Sequence, residues 1–313
     1  MAFIDLVIGG PDMSGTSTQI NVLIDYFKSI GKRVKDISGT EIDVLFHAEI
    51  FREYNDNYLN LKEFLLDKDV SEDKKKELVY KANDLLLGLS LKPDLRISSM
   101  VQNDITTYID PESADVWVME EPVRRGSGQT VRTLENNRSQ YNSEIDQISI
   151  SFSHQVYRVD EFYRFRRILR EKNKIILRSR SEESACYQIN DAKLLPNGIS
   201  KSVYVRLPGN KIAFSNPPTH IFIACSLNMT KEQYVEAKLK RGEGRLLDDL
   251  EQNAEYQVLV NKRYSTDWLD NLYKETCEKY KSQMPEIIKF NMFDSKEAIK
   301  EQMQAKLKTI LGL

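Results

Sequence analysis

Cysteine is nearly missing from this chain: Cys186, Cys225 and Cys277 are the whole supply in 313 residues. Three thiols so far apart make neither a disulfide framework nor the paired spacing of a zinc site. Histidine is equally scarce, and His47, His154 and His220 stand alone, so each reads as structural and not as a metal ligand. Long apolar runs are lacking as well, and no stretch approaches a membrane span. Met1–Gly10 is apolar, but it carries Asp5 and has no basic leader, so it reads as a buried strand and not a signal peptide. An excess of one charge is also absent. The formal net charge of -2 gives no reason to expect a general nucleic-acid or membrane-surface binder. These absences leave a cytoplasmic globular protein as the expectation, with neither nucleic acid nor membrane as a partner.

What is present is an ordinary core composition, 41% hydrophobic and 29% charged, in a length that suits one large α/β domain or a domain with an insertion. Phe3–Ile8 is a β-branched apolar run ending in Gly9-Gly10, as in the middle of a parallel sheet. Ser17–Ile30 has helical spacing (Ile20, Leu23, Ile24, Phe27) and stops at Gly31. Val34–Ile37, Val116–Met119, Lys174–Leu177 and Ile221–Cys225 read as further strands, with Ile148–Glu171 as a long helix between two of them. Val203–Leu207 and Lys211–Phe214 around Pro208-Gly209 look like a hairpin. Thr230 and Gln233 make a capping box ahead of a helix to Lys240, and Leu246–Tyr264 reads as a long helix. Residues 40–113 read as a mostly helical insertion and 265–313 as a helical, charged extension, leaving 1–39 and 114–264 as the core. Alternating strands and helices predict a parallel sheet covered on both faces. Trp117 and Trp268 are assigned to packing.

The segment that carries chemistry is Gly10-Pro11-Asp12-Met13-Ser14-Gly15-Thr16-Ser17-Thr18, between a buried strand and a helix. A glycine-bounded turn in that setting lets successive backbone N–H groups converge on a phosphate, and the helix N-terminus adds partial positive charge. Ser17 sits where a hydroxyl ligates the magnesium of a nucleotide. Thr16 stands where such loops carry a lysine for the β- and γ-phosphates.

Gly10–Gln19 resembles the loop of thymidylate kinases, Gly-x-Asp-x-Ser-Gly-Lys-Ser-Thr-Gln, at every stated position except the lysine. Glu121-Pro122, Gly128 and Arg132 follow that family's Glu-Pro-x5-Gly-x3-Arg spacing, and Phe152 resembles the aromatic that begins its base-pocket helix. Lys174–Gln188 is similar to the strand and helix written Asp-Arg-Tyr…Ala-Tyr-Gln, with Tyr187-Gln188 kept. Pro218-Thr219, Arg241-Gly242-Glu243, Tyr256, Val260 and Tyr264 resemble the last strand, the lid and the helix after it. The resemblance implies a P-loop fold with a five-stranded parallel sheet, a lid, and transfer of the γ-phosphoryl of ATP, with Mg2+, to a pyrimidine 5′-monophosphate such as dTMP. It implies that residues 10–18 hold the ATP phosphates, that Asp12, Glu121, Pro122, Arg132, Phe152, Tyr187 and Gln188 place the acceptor, and that Arg241 or Arg245 supplies lid charge. It also implies a homodimer.

Two departures fall at the charged centre. Thr16 replaces the loop lysine, and Arg178 occupies the place of the magnesium-associated Asp, with Ser179 and Arg180 following. A cation is lost from one strand end and gained at its neighbour, so Arg178 or Arg180 is the candidate replacement, since a guanidinium grips phosphate oxygens through two N–H groups. The family's base-contacting arginine falls at Val156, with Arg158 two residues on. Three readings stand: a nucleoside monophosphate kinase, a catalytically silent P-loop protein that binds nucleotide or a partner, and a P-loop enzyme that transfers phosphate to a non-nucleotide acceptor.

Overall fold

A computed structural model of the chain describes residues 3–39, 71, 73, 110–124, 126–136, 147–189, 199–227, 230–242 and 253–313. The expected helical insertion therefore lies almost wholly outside the described residues, as does the first part of the expected helix from Leu246. In chain order the elements are β1 (Ile4–Gly9), α1 (Thr16–Ser29), β2 (Val34–Asp36), β3 (Val116–Glu120), α2 (Gly126–Asn136) and α3 (Gln147–Glu161). A π-helical turn, Phe162–Arg166, joins α3 to α4 (Arg167–Glu171), which leads into β4 (Ile175–Ser179). Then follow α5 (Ala185–Gln188), α6 (Lys201–Tyr204), α7 (Pro208–Ser215), β5 (His220–Cys225), α8 (Lys231–Gly242), α9 (Ala254–Ser265), α10 (Trp268–Tyr280), β6 (Glu286–Asn291) and α11 (Lys296–Leu311).

The strands form one sheet in the order β2-β3-β4-β1-β5-β6, and every neighbouring pair is parallel. All six residues of β1 are buried, because helices cover both faces of the central strands. Strand alternation divides that burial. Ile4, Leu6 and Ile8 pack with Ile20, Leu23 and Phe27 of α1 and with Ile299, Met303 and Leu307 of α11. Val7 faces the other way, into a layer built from Phe214, Tyr256, Tyr264, Leu272 and Tyr273. Trp117 is fully buried in β3, and Trp268 packs against this second layer.

The sheet has six strands where five were expected. The sixth, β6, lies in the C-terminal stretch that reads as helical, pairing from His220↔Glu286 to Cys225↔Asn291. Its charged Glu286 and Lys289 suit a sheet edge and mask the strand pattern. The expected hairpin over 203–214 is instead the helices α6 and α7. Pro208 opens α7 at the first helical position, where a missing N–H costs nothing. Gly209 lets α7 approach α3 closely: a Cβ there would lie 2.6 Å from the Gln155 carbonyl oxygen. The capping box forms as expected, with the Thr230 N–H donating to Gln233 Oε1 at 3.0 Å and the Gln233 N–H donating back to Thr230 Oγ1 at 3.3 Å.

Candidate functional site

The chain leaves β1 through a turn that its backbone fixes. Gly10 has φ 150°, and a Cβ on it would meet the Ala224 carbonyl oxygen at 2.3 Å. Met13 (φ 63°) and Gly15 (φ 84°) occupy the left-handed region, and the Ser14 N–H donates to the Pro11 carbonyl at 3.1 Å. Gly15 caps α1 without a side-chain hydrogen bond. Among the described residues, no backbone carbonyl outside the helix accepts from the amides of Gly15, Thr16, Ser17 or Thr18. Four amides without a backbone acceptor at a helix start favour an anion there. Inside the turn, the buried Ser14 Oγ has no hydrogen-bond partner, while Ser17 and Thr18 are exposed and Thr16 is partly exposed.

Beside this turn, β4 delivers its two arginines in opposite senses. Arg178 is buried. Its Nε donates to Asp5 Oδ1 at 2.8 Å, Nη2 to Asp5 Oδ2 at 3.3 Å and Nη1 to Glu182 Oε2 at 3.3 Å. In register Arg178 pairs with Val7, so its guanidinium has folded back along the sheet to reach Asp5. Arg166 Nη2 reaches the same Asp5 Oδ2 at 3.1 Å. Burial alone would raise the Asp5 pKa, but the charges of Arg178 and Arg166 hold it below the usual carboxylate range. Arg180 is in the left-handed region (φ 65°), and its Nη2 donates to Asp12 Oδ1 of the turn at 2.9 Å. Gln257 Nε2 of α9 donates to the other oxygen, Asp12 Oδ2, at 2.9 Å. The Arg180 guanidinium lies 5.1 Å over the Tyr187 ring, whose hydroxyl donates to the Gly10 carbonyl at 3.4 Å. Of the two candidate replacement cations, Arg180 stands at the loop and Arg178 is sealed into the sheet.

A narrow cleft of about 10 Å³, room for about one water, is lined by Met119, Glu120, Glu121, Tyr157, Arg158, Glu161, Arg166, Arg178 and Arg180, and Arg180 joins it to the turn. The Glu121-Pro122 bond is cis. Glu121 is bound by Arg158, through Nε at 2.8 Å and through Nη2. Arg158 Nη1 donates further to the Tyr204 hydroxyl at 2.9 Å and to Asn210 Oδ1. Burial would raise the Glu121 pKa, and Arg158 with His154 brings it below the ordinary value. Tyr204 in turn donates to Gln188 Oε1 at 2.9 Å, so Gln188 joins this network through its side chain. Arg132 pairs with Glu120, at 2.8 Å, and not with Glu121.

Phe152 lies on the outer side of α3. It is 52% exposed, and Val156 is more so, while the same helix turns Ser151, His154, Gln155, Arg158 and Glu161 inward. The site-facing pair is His154 and Arg158, which keeps the four-residue spacing but lies two residues later. The signal was a run of polar residues at helical spacing, which the rule that apolar residues face inward assigns to solvent. Arg241 lies in α8, its side chain outside the described residues, and Arg245 is outside them altogether. Lys238 of the same helix is buried, and Lys240 is exposed.

To a nucleotide's phosphates the turn offers the amides at the start of α1 and the unpartnered Ser14 hydroxyl. For Mg2+ the donor set is smaller. Ser17 offers a hydroxyl, but the strand end carries Arg178 in place of an acid, and the described residues hold no cluster of three His, Cys, Asp or Glu side chains able to bind a metal. That set suits an ion held mainly by phosphate oxygens and water.

An all-parallel α/β sheet whose central first strand runs through a glycine-bounded, amide-lined turn into a helix defines a P-loop fold. A solved structure of thymidylate kinase from Ehrlichia chaffeensis is similar, with 12% identity and a TM-score of 0.45, over 98% of this chain and 100% of that one. No family model and no curated protein matches the chain. No helix among the described residues is long and apolar enough to cross a membrane.

Proposed function

We propose that the chain is an ATP-dependent nucleoside monophosphate kinase that takes a pyrimidine 5′-monophosphate on the cleft side of the turn. The observation that carries this reading is the junction of the two features. The amides of residues 15–18 and the Glu121–Arg158 cleft meet at Arg180 and Asp12, where a transferred group would have to pass. The turn holds the phosphates of ATP, Ser17 its Mg2+, and Arg180 takes over the charge of the missing lysine. Asp12, Glu121 and Gln188 order the acceptor side. In-line phosphoryl transfer asks a protein for positioning and charge neutralisation, and both are on hand. Bound Mg2+ would supply charge neutralisation between the phosphates.

A silent nucleotide-binding protein is the second reading, and one observation favours it. Arg178, Arg158 and Arg166, buried cations of the cleft, already spend N–H groups on Asp5, Glu182, Glu121, Tyr204, Asn210 and Asn216. ADP release over a panel of nucleoside monophosphates separates the two. Turnover with a pyrimidine monophosphate supports the kinase. Nucleotide binding without turnover on any acceptor supports the silent protein and removes the kinase.

A further inference from the structure

Of the two arginine pairs at the end of β4, only one is open to exchange. Arg178 and Asp5 have side chains 4% and 0% exposed, whereas Arg180 and Asp12 are 24% and 21% exposed. Part of each side chain in the second pair remains reachable by solutes. Asp12 lies on the turn itself, one residue before Met13, and Met13 and Arg180 both hold left-handed backbone that L side chains rarely adopt. Arg180 and the neighbour of Asp12 thus hold a geometry that local preference opposes.

We propose that Asp12 is an internal counter-ion for the anion site: it occupies Arg180 when the turn is empty and gives it up to a polyphosphate. This rests on the nucleotide reading above and adds a selection rule to it. A carboxylate brings one negative charge to the guanidinium, and a triphosphate brings several, together with oxygens arranged for two parallel N–H contacts. Small monovalent anions do not outcompete Asp12. The turn's amides are thus kept for ligands that engage both the helix start and Arg180. Gln257, which donates to the other Asp12 oxygen, offers the carboxylate a resting partner once Arg180 has left.

The test is equilibrium binding of MgATP and of inorganic phosphate to the full chain, by titration calorimetry, for the wild type and for Asp12→Asn, Asp12→Ala, Asp12→Glu and Arg180→Ala. The two neutralising variants are expected to tighten ATP binding about tenfold and to gain binding of inorganic phosphate. Asp12→Glu, which keeps the charge, shows neither gain, and Arg180→Ala abolishes the gain when combined with Asp12→Asn. If the wild type binds ATP and neither neutralised variant binds it more tightly, the counter-ion is refuted while the nucleotide site stands. If neither the wild type nor any variant binds ATP at millimolar concentration, both fall. Two neutral substitutions of different size keep the outcome from resting on a single misfolded variant.

Discussion

A carboxylate in the middle of a buried strand stays there only because of what faces it. Asp5 sits in β1 with no exposed surface and is held by Arg178 and Arg166. Breaking a buried network by removing one member leaves uncompensated charge, at a cost of about 3–5 kcal/mol. Asp5→Asn is therefore expected to lower unfolding free energy by about that amount in urea titrations, with the midpoint and not the slope changing. Because the Asp5 pKa is lowered in the fold, the stability it contributes is present above the unfolded carboxylate value and is lost as pH falls through the lowered one. Glu183 has the opposite sign. Its Oε2 accepts from Ser181, its Oε1 has no partner, and it packs where a Cβ on Gly9 would lie 2.6 Å away. Burial pushes its pKa up to about 8, with Arg180 pulling it down and Glu121 and Glu182 pushing it up. The folded state then binds the extra proton between the unfolded value and about 8, so stability should fall as pH rises through that window. Glu183→Gln should flatten that fall and raise the melting temperature at pH 8. A melting curve as pH-dependent as the wild type's would show that Glu183 is ionised in the fold.

At the scale of an element, α3 is the informative case. Its inward face carries Ser151, His154, Gln155, Arg158 and Glu161, and its outward face carries Phe152 and Val156. Two substitutions separate the faces. Arg158→Ala strips Glu121, Tyr204 and Asn210 of a shared partner and is expected to cost about 3–5 kcal/mol. Phe152→Ser removes an exposed ring and should stay within about 0.5 kcal/mol by the same denaturation measurement. The reverse order would return Phe152 to the interior. This helix also shows where sequence reasoning works and where it stops. The strand-turn-helix of β1 and α1 was legible because glycines, hydrophobic spacing and the Gly31 stop all agree. The facing of α3 was not, since a helix whose polar residues are buried inverts the only periodic signal available. The partner of Arg180 was likewise out of reach: Asp12 is 168 positions away, and no local pattern encodes that contact. Pro208-Gly209 misled for a different reason, since the same dipeptide serves a turn and a helix start.

Across the whole molecule, the order of the sheet decides which parts depend on which. The four strands β3, β4, β1 and β5 carry the site at their C-terminal ends, and their buried runs announced themselves in the sequence. β6 did not, because its Glu286, Lys289 and Asn291 suit an edge that is half in water. Yet β6 is more than an appendage. Phe290 packs edge-on against Phe222 of β5, with ring centroids 5.3 Å apart, and α11 places Ile299, Met303 and Leu307 in the same layer as α1. Lys289 also ties the edge to α10 through Asp270, at 2.7 Å. Ending the chain after Lys281 would strip one face of β1 and β5 of its cover and open the β5 edge for pairing with other chains. The truncated protein is therefore expected to elute as aggregate in size-exclusion chromatography, or to melt well below the full chain. The anion-binding turn should suffer with it, since α1 packs against α11 through that same layer. A soluble, monomeric truncation with unchanged melting and unchanged nucleotide binding would make the last strand and helix dispensable to both the core and the site.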